Sequence, residues 1–165
     1  MARLFLQAGE TYGNVGGFSN TDVVGTNNNE KVYVDIDGKA TFDPSFNRGG
    51  DQIVILGASE FFSGVRSGSA LLLTSAAGAS IRIPIGTAGT TITFNDGSAE
   101  LIVTNNLVKL GGQTITTTAA TLDGLFAAPP LAAEAQTAES ALATHISDAP
   151  PLLDYAILGN LPIFG

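Results

Sequence analysis

Apolar and polar residues alternate in short runs through most of the first 118 positions. Val32, Val34 and Ile36 alternate with Tyr33, Asp35 and Asp37, and Ile81, Ile83 and Ile85 alternate with Arg82 and Pro84. A period of two is the signature of a half-buried β-strand. The pattern is densest over residues 41–116, which open TFDPSFNRGGDQIVILG and close LVKLGGQTIT. Turn residues punctuate it. Asp37-Gly38 predicts a two-residue hairpin. Ser67-Gly68-Ser69, Asn95-Asp96-Gly97-Ser98, Asn105-Asn106 and Gly111-Gly112 predict further reversals.

Three runs deviate from simple alternation. In RLFLQ, Leu4 and Leu6 point one way and Phe5 the other, which predicts a strand covered on both faces. QIVILG is continuously apolar and also predicts a fully covered strand. Pro84 lacks a donor, so its strand is expected at an edge or with outward-facing backbone there. Residues 9–29 are rich in Gly, Asn, Ser and Thr and are expected to form turns between short strands, ending in the polar loop GTNNNE. About seven short strands at regular spacing predict an all-β fold, a β-sandwich or a short β-roll or solenoid of antiparallel hairpins.

The bias changes after Thr118. Pro130 suits a first helical turn, and LAAEAQTAESALATHI predicts a C-terminal helix over residues 131–146 with Leu131, Ala135, Ala138, Leu142 and Ile146 on one stripe. The extended apolar tail LLDYAILGNLPIFG would be costly to leave in water. The expected organisation is an N-terminal strand or arm over residues 1–9, a β domain over 10–118, and a helix and tail over 119–165.

Composition sharpens the functional reading mainly by exclusion. The chain has 165 residues, enough for one domain with its own core. Seven basic residues against fifteen acids give a formal charge of −8, which disfavours nucleic acid as a partner. The acids suit a divalent cation or simply keep an apolar chain soluble. There is no cysteine, which removes disulfides and thiolate metal sites. No stretch approaches a membrane span, and the apolar run in MARLFLQAGE is too short for a signal-peptide core. Export is therefore expected to use a route without a cleaved N-terminal signal, or the chain is already mature.

Four aspartates, Asp35, Asp37, Asp43 and Asp51, are the candidate metal ligands, with calcium the cofactor such oxygens suit. DIDG does not complete a helix-loop-helix calcium loop, because Lys39 and Phe46 occupy its fifth and twelfth positions. For Asp37 and Asp96 individually, turn-forming side-chain hydrogen bonds are the favoured role. The single histidine, His145, falls near the predicted helix C-terminus, where a cation is favourable. No serine has a nucleophile-elbow context, and the glycine-rich turns lack the Lys-Ser/Thr of a phosphate loop. A non-enzymatic protein is expected.

The runs GTNNNEKVYVDIDGKATFDPSFNRGGDQIVILG and GTAGTTITFNDGSAELIVTNNLVKLGGQTIT resemble modules of large bacterial surface and secreted proteins. These are repeats-in-toxin-like and surface-layer-like proteins exported by type I secretion, often in alphaproteobacteria. The resemblance covers roughly residues 25–116 and implies an extracellular, β-rich module frequently associated with calcium. The GGxGxDxUx nonapeptides of the toxin-type roll are missing here.

Apolar ends on an acidic, lysine-poor, strand-rich domain point to self-assembly. The candidate assembly residues are Leu4, Phe5 and Leu6 in the N-terminal strand, and Leu152, Leu153, Tyr155, Ile157, Leu158, Ile163 and Phe164 in the tail. The expected function is a structural protein of the bacterial surface that builds a filament, layer or matrix by strand or tail exchange. The alternative is a calcium-dependent adhesin or glycan-binding module, with a cell-surface glycan as its partner.

Overall fold

The structure, a computed structural model, describes residues 1–48, 50–123 and 125–126. The predicted helix, His145 and the apolar tail lie outside the described residues. Met1–Ala127 forms one compact unit.

The chain begins by winding. β1 (Ala2–Phe5), β3 (Thr21–Val24) and β5 (Lys39–Phe42) lie side by side in one sheet. β2 (Thr11–Val15), β4 (Lys31–Asp35) and β6 (Gln52–Leu56) lie side by side in the other. Neighbours within each set are parallel. Consecutive strands therefore alternate between sheets, and each pair makes one coil of a β-roll. Ala2 is in register with Thr21 and Thr21 with Ala40, a step of 19 residues per coil. In the second sheet Thr11, Lys31 and Gln52 are in register, steps of 20 and 21.

Winding is then interrupted. β7 (Phe62–Ser67), β8 (Ala70–Ser75) and β9 (Ser80–Pro84) run antiparallel, and β9 arrives parallel to β5. β10 (Thr90–Phe94) then lies parallel to β6, completing a fourth coil. β11 (Gly97–Thr104), β12 (Leu107–Leu110) and β13 (Gln113–Thr114) extend the second sheet as an antiparallel meander. β14 (Ala120–Thr121) pairs with β7. Among the described residues this gives two seven-stranded sheets.

The alternation identified in the sequence decides which side chains lie between the sheets. Val32 and Val34 of β4, Ile53 and Ile55 of β6, and Ile81 and Ile83 of β9 are fully buried in a single core. Burying each contributes about 2 kcal/mol. Phe46, on a short 3-10 turn (Pro44–Asn47), closes the core beside Phe42, with ring centroids 4.7 Å apart in an edge-on arrangement.

The all-β expectation holds, and the two packed sheets fit a sandwich built largely as a roll. Several finer expectations are corrected. The strands are not all antiparallel hairpins, since among the described residues six strand pairings are parallel: β1·β3, β3·β5, β5·β9, β2·β4, β4·β6 and β6·β10. Asp37-Gly38 makes no hairpin, because β4 and β5 belong to different sheets. QIVIL is only half covered, with Val54 and Leu56 partly exposed. β1 belongs to one of two packed sheets, so only one of its faces meets the core: Leu6 is buried while Phe5, on the opposite face, is exposed to solvent. Pro84 sits at the last position of an interior strand, beyond the β5 pairing that ends at Arg82, so no bond to β5 is lost.

Candidate functional site

Two features of the roll stand out, a column of acids along one edge and the open face of the first coil. The acids occupy the position just before each strand of the second sheet, Glu10 before β2, Glu30 before β4 and Asp51 before β6. Their backbones form a ladder between coils. Lys31 N–H donates to Glu10 O at 2.9 Å, Gln52 N–H to Glu30 O at 2.9 Å and Thr91 N–H to Asp51 O at 3.0 Å. Thr90 takes the equivalent place on the fourth coil, and its hydroxyl donates to Phe46 O.

The acid side chains tie the turns together. Glu10 Oε2 accepts from Gln7 N–H at 2.7 Å, closing its own turn. Glu30 Oε2 accepts from Thr26 N–H at 3.3 Å, and Oε1 accepts from the Thr26 hydroxyl and from Gly9 N–H of the preceding coil at 3.3 Å. Asp51 Oδ1 accepts from Glu30 N–H at 2.9 Å. Glu30 and Asp51 thus each hold the coil before their own. Gly50 has φ +79°, and a Cβ there would lie 2.2 Å from Asn29 Oδ1, so glycine lets the third turn pass under the second.

Burial sets the electrostatics. Glu30 and Asp51 are each 1% exposed. Asp51 Oδ2 is buried and receives no N–H or O–H donor among the described residues. Burial foremost, with the Glu30 and Asp43 charges, pushes the Asp51 carboxyl up to about 7. Burial also acts to raise Glu30, but the Thr26 hydroxyl and N–H outweigh it, and the net direction is downward.

The four candidate metal ligands are split between the two edges of the roll. Asp43 and Asp51 flank the β5–β6 connection, whereas Asp35 and Asp37 flank the β4–β5 turn. A four-residue strand separates the pairs by about 13 Å. Asp43 Oδ1 accepts from Gly25 N–H at 3.2 Å and from the Ser45 hydroxyl, at the rim of a shallow polar depression of about 560 Å³. Asp37 packs against Gly17, where a Cβ would lie 2.6 Å from its carbonyl oxygen. Among the described residues, no three His, Cys, Asp or Glu side chains converge as a metal-binding group. Asp96 does use its carboxylate structurally, but across the fold. It accepts from Ser59 N–H at 2.9 Å and the Ser59 hydroxyl at 2.6 Å.

The first coil is the other candidate. Among the described residues β1 has only β3 as a neighbour and β2 only β4. Phe5 is 66% exposed and Phe18, in the turn between β2 and β3, is fully exposed, with Met1 and Tyr12 also exposed. Leu4 packs partly on the core and Leu6 is buried, so of the three expected assembly residues only Phe5 faces out. At the other end of each sheet the terminal strands, β13 and β14, are two residues long. Tyr12, Phe18 and the acid column were not singled out in the sequence, although acids 20 and 21 residues apart are a readable signal once the coil length is known.

Comparison with family models, with curated proteins and with solved structures finds no match to this chain. Among the described residues, no helix is long and apolar enough to cross a membrane.

Proposed function

We propose that this chain is a non-enzymatic extracellular structural protein that self-assembles into a bacterial surface filament, layer or matrix. The observation that carries this reading is the open first coil. A solenoid coil buries its faces against neighbours, and an uncapped end is a standing site for another unit. β1 carries one charge, Arg3, which pairs with Asp22 at 3.5 Å, and β2 carries none. Edge strands without charge recruit further strands. The occupant is a second copy, through its own first coil or through its apolar tail from Leu152 to Phe164.

Light scattering and negative-stain microscopy of the full chain test this. Ordered polymers are expected, and the double variant Phe5→Lys, Tyr12→Lys is expected to be monomeric with unchanged far-UV circular dichroism. Removal of residues 152–165 distinguishes the two occupants, because polymers survive it only if coils meet directly. A wild-type monomer in both calcium and chelator overturns self-assembly. It would put first the second reading, a calcium-dependent adhesin or glycan-binding module, which the solvent-facing rings of Tyr12 and Phe18 favour as stacking surfaces.

A further inference from the structure

At the edge of the roll opposite the acid column, the crossovers form a groove that self-assembly through the first coil does not use. We propose that this groove is a docking site for an extended segment of a partner protein in which apolar residues alternate with lysine or arginine. Docking here is independent of self-assembly, which rests on the first coil.

Three connections build the groove. Ile36 lies in the β4–β5 turn, Glu60 and Phe61 end the β6–β7 crossover, and Ser75, Ala76 and Ala77 lie at the end of β8 and in the turn after it. Together they line a half-open groove of about 380 Å³. Its frame is fixed by hydrogen bonds and close packing. The Ser75 hydroxyl donates to Ile36 O at 2.9 Å and accepts from Ala79 N–H at 3.2 Å. The N–H and hydroxyl of Ser59 both donate to Asp96. A Cβ on Gly57 would lie 3.3 Å from Ile36 Cγ1. A groove already formed costs a ligand little ordering.

Apolar exposure is concentrated along this edge. Phe61 is 56% exposed and Ile36 37%. Phe18, fully exposed, belongs to the β2–β3 turn of the same edge. That turn rests on the β4–β5 turn, where a Cβ on Gly17 would lie 2.6 Å from Asp37 O. Successive coils are about 4.8 Å apart, so Phe18 extends the strip that Ile36 and Phe61 begin. The crossovers at the opposite edge, residues 6–10, 25–30 and 43–48, expose no large apolar side chain. Crossing between sheets therefore does not require such exposure, and a strip of this kind marks an interaction site.

Charge selects the occupant. Asp35 and Asp37 flank Ile36, Glu60 precedes Phe61, and Lys39 opens β5 as the nearest cation in sequence. Among the described residues the one ion pair is Arg3–Asp22, so none of these acids is matched. Two copies meeting through this edge would set acids against acids. The apolar segment 152–164 offers no lysine or arginine and adds Asp154. A basic and apolar segment answers both properties. Its apolar side chains enter the groove, while its cations meet the carboxylates and the exposed rings of Phe18 and Phe61.

The test uses the full chain and labelled, end-capped peptides, followed by fluorescence anisotropy at physiological salt. A peptide of alternating leucine and lysine should bind at one per chain. Peptides of alternating serine and lysine, or leucine and glutamate, should bind at least about tenfold more weakly. Phe61→Ser and Glu60→Lys should each weaken the leucine–lysine peptide about tenfold. Phe18→Ser should weaken it about threefold, and its fully exposed site keeps the strip testable even if Phe61→Ser does not fold. Glu100→Lys, the same charge change at an exposed position of β11, should leave binding within about twofold. Equal binding of the serine–lysine peptide, or an equal loss in Glu100→Lys, overturns the proposal, because bulk charge then suffices. Equal binding of the leucine–glutamate peptide overturns the basic partner and assigns the groove to an apolar segment. Failure of the leucine–lysine peptide to bind overturns docking outright, and if Phe61→Ser then loses self-association by light scattering, the edge belongs to a second copy.

Discussion

The wound half of the molecule, β1 to β6, and the meandering half, β7 to β13, are built from strands of the same period yet connect in opposite ways. Both bury every second side chain. In the meander, short turns fold each strand back on its predecessor, except where the chain crosses from β9 to β10 in the other sheet. Asn105 and Asn106, at φ 52° and 62°, join Thr104 to its partner Leu107, and Gly68 at φ 63° helps join Ser67 to Ala70. Left-handed residues match the twist of adjacent antiparallel strands. In the roll, Asp37-Gly38 has the same composition but no positive φ. Its backbone turns across to the other sheet, Gly38 N–H donating to Asp35 O at 2.8 Å and Ser80 N–H donating to Gly38 O at 3.0 Å. Glycine serves there for closeness of approach. A Cβ on Gly38 would lie 2.3 Å from Val34 Cγ1 and 2.6 Å from Val15 O. The lesson is that a turn dipeptide sets direction only together with what stacks on it.

Gly38→Ala should therefore break the roll most severely. Backbone on one side and a buried valine on the other leave no easy relaxation, and a loss of about 3 kcal/mol is expected. Chemical denaturation measures it, with Gly13→Ala as the control, since nothing lies within 4 Å of a Cβ at Gly13. That control should stay within about 0.5 kcal/mol of the parent. Equal effects at both positions would mean that stacking does not distinguish the roll's turns.

The meander responds to the other property. Asn106→Val places a β-branched residue in the left-handed region at an exposed site, for a cost of roughly 1–2 kcal/mol. Asn106→Gly should be close to neutral. If valine is tolerated as well as glycine, backbone conformation is not what sets that hairpin.

The sequence made strand positions and inward faces legible, because alternation is a local property that each run carries by itself. Val32, Val34, Ile81 and Ile83 were readable in this way. Pairing was not readable, because a half-buried strand has the same period beside a parallel or an antiparallel neighbour. Phe5 shows the consequence. Two apolar faces predicted burial on both sides, but covering the outer face needs a third layer, and the described residues form two sheets. The aspartates show it again. Asp35 to Asp51 are near in sequence, yet β5 carries the chain from one edge of the roll to the other between them. The closely packed acids are instead Glu30 and Asp51, 21 residues apart, brought together by a coil step that appears in the sequence only as spacing.

Asp96 joins the two halves and gives the mildest test. It lies in the turn between β10 and β11, and its partner Ser59 lies where the chain leaves β6 for the meander. Burial acts to raise its carboxyl, but the Ser59 hydroxyl and N–H outweigh this and hold it below its ordinary 3.8. A lowered value means stability that is present above 3.8 and lost as pH falls through the lower folded value. Asp96 is exposed, so solvent screening limits the effect to a few tenths of a kcal/mol up to about 1. Asp96→Asn should therefore be slightly less stable than the parent at pH 7, and the difference should close as pH falls below about 4. Denaturation midpoints at the two pH values measure it. A difference that persists undiminished in acid would assign the link to shape alone, with the hydrogen bonds to Ser59 independent of charge.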